Sequence, residues 1–244
     1  MTWGVITFPG SNCDRDCIHV LHEVLGERVE DVWHEARSLD GLDAVILPGG
    51  FAYGDYLRAG AVAATAPVIG AVRAFADAGR PVLGICNGFQ ILTETRLLAG
   101  TLLRNTTRRF RCRPVWVRVE STSTPFTAGM PRGTVLQMPI AHGEGGFYAP
   151  PDDLAALEQS GRVVFRYCDA RGRVNPAVNP NGSVASIAGV ANARGNVVAL
   201  MPHPERASEA LLGSADGRRL FESAIAWLQG RLQTGAPTIL EAAR

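Results

Sequence analysis

Lysine is absent from this sequence, so all 24 of its basic residues are arginines. The absence excludes a Schiff-base lysine nucleophile and a P-loop, whose lysine reaches the bound phosphates. A large net charge is also missing, because 23 acidic residues leave a balance of +1. Nothing in this balance favours nucleic acid or a membrane surface as a partner. Apolar runs are too short to span a membrane, and the first eight residues lack the basic region and long apolar core of a signal peptide.

Cysteine is scarce and irregularly spaced. The five cysteines are an odd number without the spacing of a disulfide framework, which predicts reduced thiols and a cytoplasmic location. Cys13 and Cys17 lie close in sequence to His19 and His22, and such a set can indicate a metal site. On a helix, however, His19 lies well around from both cysteines, and Cys17 continues an apolar face. We therefore predict a helical core stripe here and no bound metal.

Apolar segments alternate with helical patterns over the first part of the chain, which predicts βαβ units and a parallel sheet. A helix with Ser11 or Asn12 as its N-cap is expected, and 58–78 is predicted to be mostly helical but broken or bent at Gly60, Pro67 and Gly70. Beyond Gly100 the apolar residues alternate instead, which indicates antiparallel or edge strands, followed by a hairpin over 186–201. The predicted strands cover 3–8, 29–33, 43–47, 81–85, 115–119, 135–140 and 163–167.

The fold class predicted from this order is α/β, a mixed and mainly parallel sheet flanked by helices. We expect a single domain over 1–230, with a last amphipathic helix over 216–228, and a C-terminal tail over 231–244. Ligand sites of such sheets lie at the carboxyl ends of the parallel strands. Glycines and a cysteine fall at the ends of three predicted strands.

The segment PVLGICNGFQIL, at 81–92, has the pattern of a strand that passes through one tight turn into a helix. Cys86 stands at the turn between Gly84 and Gly88, as in the cysteine counterpart of a nucleophile elbow. The central residue of such a turn is strained and needs small neighbours. The following helix directs N–H groups and the positive end of its dipole at the sulfur, which favours the thiolate. The alternative is a buried structural cysteine.

A second motif, MPHPE at 201–205, follows a predicted apolar strand. Pro204 favours extended backbone at His203, and residues two apart in an extended segment point to one side. Glu205 can then orient the imidazole and stabilise its protonated form, as the third group of a catalytic triad does. The alternative is a loop histidine beside a surface acid.

Two weaker signals complete the predicted site. Gly49 and Gly50 follow a predicted strand, and one of their backbone N–H groups can form an oxyanion hole with the N–H of Asn87. Gln90 lies one helical turn beyond Cys86, close enough to touch the group that the sulfur attacks. Together with the elbow and the MPHPE motif, these features predict a Cys–His–Glu acyl-transfer site.

The segments GICNGFQ and HPE resemble those of the class I, or triad, glutamine amidotransferases. Further segments are similar to the subunit I family of phosphoribosylformylglycinamidine synthases. They are FPGSNCD at 8–14, GGFAYGDYLR at 49–58, AHGEG at 141–145 and NPNGS at 179–183. The resemblance covers nearly the whole chain and implies a flavodoxin-like α/β fold.

The resemblance also implies a reaction, the hydrolysis of L-glutamine through a thioester on Cys86. His203 would protonate the departing ammonia and then activate water, with Glu205 orienting it. Gly50 and Asn87 would supply the oxyanion N–H groups. The residues implied to hold the glutamine are Gln90, His142, Gly143 and Glu144.

Partners follow from the same resemblance. Ammonia would pass to a large synthetase subunit of the PurL type, which uses ATP and Mg to convert formylglycinamide ribonucleotide into formylglycinamidine ribonucleotide in purine biosynthesis. A small subunit of the PurS type would bridge the two. This chain itself is expected to bind no cofactor and no metal, and it shows no ATP-binding motif.

Other interpretations remain open from the sequence. A different class I glutaminase subunit, serving guanylate, anthranilate or carbamoyl phosphate synthesis, shares the triad, and only 51–58 and 142–145 distinguish it. A DJ-1/PfpI-like chaperone or protease shares the sheet and the cysteine elbow but lacks the late HPE motif. A non-enzymatic binding module built on the same scaffold has no need of an intact triad.

Overall fold

The computed structural model describes the backbone of residues 1–234 and the side chains of 1–230. The α-helices are α1 (Asp14–His19), α2 (Val68–Asp77), α3 (Asn87–Glu94), α4 (Pro151–Gln159) and α5 (Arg218–Thr234). The strands are β1 (Thr2–Thr7), β2 (Arg28–Trp33), β3 (Ala44–Leu47), β4 (Val82–Ile85), β5 (Thr101–Leu103), β6 (Arg111–Val119), β7 (Val135–His142), β8 (Gly146–Tyr148), β9 (Val163–Cys168), β10 (Ile187–Ala191) and β11 (Val197–Leu200).

Nine of these strands form one mixed sheet, in the order β2-β1-β3-β4-β11-β10-β9-β6-β7. The pairs from β2 to β11 are parallel, and those from β11 to β7 are antiparallel. The predicted α/β class with a mixed sheet is therefore confirmed, as is the hairpin of β10 and β11. Because Leu200 at the end of β11 lies beside Ile85 at the end of β4, the segments that follow these two strands leave the sheet side by side.

The core lies on both faces of the central strands. β3, β4 and β11 are buried along their whole length, which explains why they read as continuous apolar runs and not as alternating ones. One cluster of buried apolar side chains extends from β1 to α5 across both halves of the sheet. Among the described residues, no helix combines the length and the apolar character required to cross a membrane.

Two predicted helices differ from the structure. The segment 58–78 is broken at Pro67, as predicted, because Pro67 has no N–H to continue a helix and occupies the N-cap position of α2. Before it only Ala63–Thr65 is helical, as a short 3-10 turn, and Gly70 does not break α2. α1 begins at Asp14 with Cys13 as its N-cap, not with Ser11 or Asn12. The Ser11 hydroxyl instead accepts from the N–H of Phe8, at 3.2 Å.

No pattern in the sequence indicates α4 or the small antiparallel sheet of β5 and β8. α5 begins at Arg218 and continues over the start of the tail predicted for 231–244. The rest of that predicted tail, 235–244, lies outside the described residues. All five cysteines are free.

Candidate active site

Cys86 occupies the turn between β4 and α3, as predicted. Its backbone has φ 50° and ψ −102°, which is a strained conformation for a residue with a side chain. A Cβ at Gly88 would overlap the carbonyl oxygen of Leu47, and one at Gly84 would lie 2.5 Å from a methyl group of Leu92. Both glycines are therefore required by the packing of the elbow against its neighbours.

His203 follows β11 and reaches the same end of the sheet as Cys86. Its Nδ1 lies 2.6 Å from Oε1 of Glu205, so the nitrogen donates to the carboxylate, and both side chains are about 1% exposed. Nε2 has no hydrogen-bond partner among the described residues and is free to exchange a proton. Burial lowers the pKa of the His203 imidazole, but the negative charges of Glu205 and Cys86 outweigh it and hold that pKa well above its usual range.

A second thiol, that of Cys13, lies against the same imidazole. It donates to Oδ1 of Asn12 at 3.2 Å and accepts from the guanidinium of Arg206 at 3.0 Å. Burial raises the pKa of Cys13 despite the nearby cations, which keeps the sulfur protonated at neutral pH. Sequence reasoning assigned Cys17 to a core stripe, gave Cys13 no role and missed this contact, although Cys13 lies within the FPGSNCD segment.

The ligand atoms of Cys13, His203 and Glu205 lie within 4.8 Å of one another, and thiolate, imidazole and carboxylate are the donors that zinc prefers. The guanidinium of Arg206, however, already provides the positive charge beside the sulfur. Nδ1 of His203 is also engaged with Glu205. The geometry therefore favours an organic site over a metal centre.

The Gly49–Gly50 turn borders the site on the side of β3. A Cβ at Gly49 would lie 2.7 Å from Cε1 of His203 and 3.0 Å from the sulfur of Cys13, so the imidazole fills the space that a side chain would need. Gly50 has φ +136° and would place a Cβ 2.7 Å from the backbone nitrogen of Asn12. Only glycine fits at these two positions. Because Gly50 has no side chain, none covers its backbone N–H.

Asn87 begins α3, so its own N–H has no partner within the helix, while the N–H groups of Phe89 and Gln90 bond back to the carbonyl oxygen of Cys86. The Asn87 side chain holds the loop that follows Gly50. Its Oδ1 accepts from the N–H of Ala52 at 3.1 Å, and its Nδ2 donates to Oδ1 of Asp55 at 3.3 Å.

The loop over 51–58 is strained, with four residues in left-handed conformations: Tyr53, Gly54, Asp55 and Leu57. Asp55 is half-buried. Burial and the nearby charge of Glu144 raise its pKa to about 6, although the hydrogen bond from Asn87 opposes the shift. The cation of this loop, Arg58, is engaged elsewhere, with its Nε 2.7 Å from Oε1 of Glu94.

Gln90 joins α3 to the backbone that follows β7. Its Nε2 donates to the carbonyl oxygen of Glu144 at 2.7 Å, and its Oε1 accepts from Nδ2 of Asn87 at 2.9 Å. On the same segment, the sulfur of Cys86 lies 3.7 Å from the carbonyl oxygen of Ala141. The backbone of 141–144 therefore forms one wall beside the thiol.

The structure thus places the predicted residues around one cleft at the carboxyl ends of β3, β4 and β11. Cys86, His203 and Glu205 form its centre, and Gly50 and Asn87 border it. Gln90, Gly143 and Glu144 lie on the side of α3 and β7. The side chain of His142 is buried there, and both of its ring nitrogens contact asparagines and not the cleft.

The chain is similar to known glutamine amidotransferases over most of its length. A family model for the CobB/CobQ-like glutamine amidotransferase domain matches residues 3–228. A curated relative from Methanosarcina acetivorans, phosphoribosylformylglycinamidine synthase subunit PurQ, is 55% identical over 223 residues, which is 91% of this chain and 96% of the relative. The protein of the same name from Thermomicrobium roseum is 56% identical over 225 residues, 92% of this chain and 95% of the relative.

Solved structures agree in fold. A chain in the structure of PurLQS from Thermotoga maritima superposes with a TM-score of 0.82 at 43% identity, and the match covers 93% of this chain and 98% of that one. A putative GMP synthase protein from Thermoplasma acidophilum has a TM-score of 0.62 at 19% identity, with 96% of each chain covered. The second likeness concerns the fold alone.

Proposed function

This chain belongs to the PurQ family of CobB/CobQ-like glutamine amidotransferases, and we propose on that basis that it is the glutaminase subunit of a phosphoribosylformylglycinamidine synthase. The observation that carries the proposal is the buried His203–Glu205 pair, which follows β11 at the same end of the sheet as Cys86 and interacts electrostatically with it. The imidazole bonds to the carboxylate through Nδ1, and its Nε2 is left without a partner among the described residues. This is the arrangement that an acyl-transfer triad needs.

The proposed reaction begins when the sulfur of Cys86 attacks the side-chain amide carbon of glutamine while His203, whose raised pKa favours the imidazolium, holds the proton on Nε2. The C–N bond then breaks, and His203 gives the proton to the departing nitrogen, which leaves as ammonia. A glutamyl thioester remains on Cys86. Water attacks the thioester while His203 accepts its proton, glutamate leaves, and the proton remains on Nε2.

Glu205 stabilises the imidazolium that each step creates. Its carboxylate is buried, so it acts on His203 across 2.6 Å without screening by water. Gly50 and Asn87 are proposed to donate their backbone N–H groups to the oxyanion. The bare backbone of Gly50 and the free first N–H of α3 support this assignment.

Glutamine is proposed to bind against Gln90 and the backbone of His142, Gly143 and Glu144. The bond between Nε2 of Gln90 and the carbonyl oxygen of Glu144 supports this proposal, since it joins both groups into one surface beside the thiol. No bound cofactor is assigned to this chain, and ATP and Mg are assigned to the synthetase.

The ammonia is proposed to pass to a large synthetase subunit, with a small third subunit bridging the two, as the name of the Thermotoga maritima assembly suggests for that complex. Exposed aromatic side chains near the cleft support an association. Phe51 and Phe110 are 44% and 53% exposed, and their rings stack with centroids 6.4 Å apart. Large apolar side chains gathered at a surface are typical of protein interfaces.

A cytoplasmic location is proposed with this function. The support is that none of the five cysteines is paired, since oxidising compartments favour disulfides. Recovery of the protein from a periplasmic or extracellular fraction would contradict this assignment.

A glutaminase assay tests the function. Ammonia release is measured for the wild type and for Cys86→Ser, with and without the synthetase and the small subunit. We expect low release from the chain alone, a large rise with its partners, and a loss of about a thousandfold or more in Cys86→Ser. Cys112→Ser is the matched control, because Cys112 is exposed and free. Ammonia release that persists in Cys86→Ser would exclude the thioester.

A further inference from the structure

A buried polar cluster supports the backbone beside the thiol, and neither the reaction nor the similarity to known proteins assigns it a role. It consists of Asn105, His142, Asn181 and Ser183, each no more than 5% exposed. The cluster lies beneath the segment 143–145, on the side away from the cleft. Buried polar groups that are fully hydrogen-bonded fix one local conformation, which makes such a cluster a support for the segment above it.

Asn105 binds this segment through both its backbone and its side chain. Its N–H donates to the carbonyl oxygen of Gly143 at 2.9 Å, and its Nδ2 donates to the carbonyl oxygen of His142 at 2.9 Å. Its Oδ1 accepts from the N–H of Gly145 at 3.1 Å. One asparagine thus holds backbone groups of Gly143 and Gly145 in this segment and of His142 just before it.

The same Oδ1 decides the state of His142. It lies 3.1 Å from Nδ1 of the imidazole, and since a carbonyl oxygen only accepts, Nδ1 carries the hydrogen. Nε2 is then the acceptor for Nδ2 of Asn181, at 3.4 Å. A second proton, on Nε2, would point at the N–H of the Asn181 amide and not at an acceptor. The contacts therefore favour the neutral imidazole. Burial, together with the charge of His203, also lowers the pKa of His142 to about 4.

Asn181 and Ser183 complete the support from the opposite side of the Gly145 peptide. Nδ2 of Asn181 donates to the carbonyl oxygen of Gly145 at 2.7 Å, and the hydroxyl of Ser183 donates to Oδ1 of Asn181 at 2.8 Å, which holds the amide in place. A Cβ at Gly145 would overlap the ring of His142. The imidazole therefore packs directly against this peptide, whose N–H and C=O are both held.

We propose that Asn105, His142 and Asn181 are positioning residues that fix the 143–145 backbone as the wall of the glutamine pocket, with His142 serving as a neutral hydrogen-bonding group. This inference rests on the proposed function. The wall contributes to glutamine binding because the carbonyl oxygen of Glu144 accepts from Nε2 of Gln90 at 2.7 Å. The carbonyl oxygen of Ala141, just before this segment, lies 3.7 Å from the sulfur of Cys86. Loss of the support displaces the substrate and leaves the triad intact.

Steady-state glutaminase kinetics of the complete complex test the proposal. We expect Asn105→Ala to raise KM about tenfold or more, because it leaves buried backbone groups unpaired, and to change kcat less than about threefold. His142→Ala should behave alike. His142→Asn, which can place a donor near the position of Nδ1, should recover most of the loss and keep the pH profile of kcat/KM. Asn175→Ala is the control, since Asn175 is exposed and its side chain accepts only from the N–H of Ala177.

Two outcomes would overturn the proposal. An unchanged KM in Asn105→Ala would show that the support does not shape the pocket. A His142→Asn enzyme with negligible kcat, or without the acidic limb of the wild-type profile, would identify His142 as a proton carrier.

Labelling of Cys86 separates this proposal from the function on which it rests. A glutamine-derived diazoketone needs the pocket, whereas iodoacetamide needs only the thiol, and mass spectrometry reports both at Cys86. We expect Asn105→Ala to lose about tenfold in the rate with the diazoketone and little with iodoacetamide. Equal rates of labelling by the diazoketone in Asn105→Ala and wild type would refute the role of Asn105 in supporting the pocket. A wild type that the diazoketone leaves unlabelled would refute glutamine as the substrate.

Discussion

Asp55 carries a charge that the folded chain accommodates poorly. Its carboxylate is half-buried beside Glu144, and the side-chain amide of Asn87 donates to it only at 3.3 Å. Arg58, three residues on, is bound to Glu94 and does not compensate. Replacement of Asp55 by Asn removes the charge, keeps an oxygen for the Asn87 bond and tolerates the left-handed backbone at φ 54°. We therefore expect Asp55→Asn to stabilise the protein at neutral pH.

The magnitude follows from the pKa, which rises from 3.8 to about 6 on folding because of burial and then the charge of Glu144. In that interval the folded state binds the proton more tightly than the unfolded state, so the wild type loses stability as the pH rises from about 4 to 6. Two pKa units correspond to about 3 kcal/mol, and screening at a half-exposed group reduces this to about 1–2 kcal/mol. The melting temperature should then rise by about 2–8 °C.

Thermal unfolding by circular dichroism at several pH values measures the effect. The advantage of Asp55→Asn should be near zero at pH 4 and full above pH 6.5. Asp169→Asn is a control of opposite sign, because the exposed Asp169 carboxylate accepts backbone N–H groups of Arg171 and Arg173, which lower its pKa. That variant should be less stable than the wild type at neutral pH. An advantage of Asp55→Asn that is equal at pH 4 and pH 7, or absent at both, would refute the electrostatic argument.

Two further predictions concern the elbow and the triad. Gly88→Ala should destabilise the fold by about 3 kcal/mol, because its Cβ would overlap the carbonyl oxygen of Leu47. Chemical denaturation measures the free energy of unfolding. Gly70→Ala in α2 is the control and should be neutral or stabilising, because a Cβ there meets nothing within 4 Å. Glu205→Gln removes the charge that raises the pKa of His203 while burial still lowers it. Its glutaminase kcat/KM should fall about 10³–10⁴-fold. The acidic limb of the remaining activity, assigned to His203, should move to lower pH. A pH profile equal to that of the wild type would show that Glu205 does not act through His203.

The parallel half of the fold could be predicted because its strands and turns are encoded locally. β3, β4 and β11 are short apolar runs that end at glycine, cysteine or proline, and their predicted positions match the structure to about one residue. In 58–78 the break at Pro67 could be predicted, because proline has no N–H to continue a helix. The break expected at Gly70 was wrong, since α2 continues through it. α4 and the β5–β8 pair could not be predicted, since α4 buries only Leu157 and the two three-residue strands pair with each other across a long stretch of sequence.

The same distinction between local and distant information explains the site. Cys86, His203 and Glu205, the proposed triad, could be selected from the sequence because each stands in a short motif with a distinctive backbone geometry. Cys13 could not, because its contacts with His203 and Arg206 join residues 190 or more positions apart and depend on β11 lying beside β4. The roles of Asn105 and Asn181 were even harder to predict, since asparagine in a loop is ordinarily a turn residue. Their roles arise only when β7 passes between them and leaves His142 buried, with one nitrogen to donate and one to accept. A motif thus identifies the groups that react, while the groups that hold them in place emerge from the folded topology.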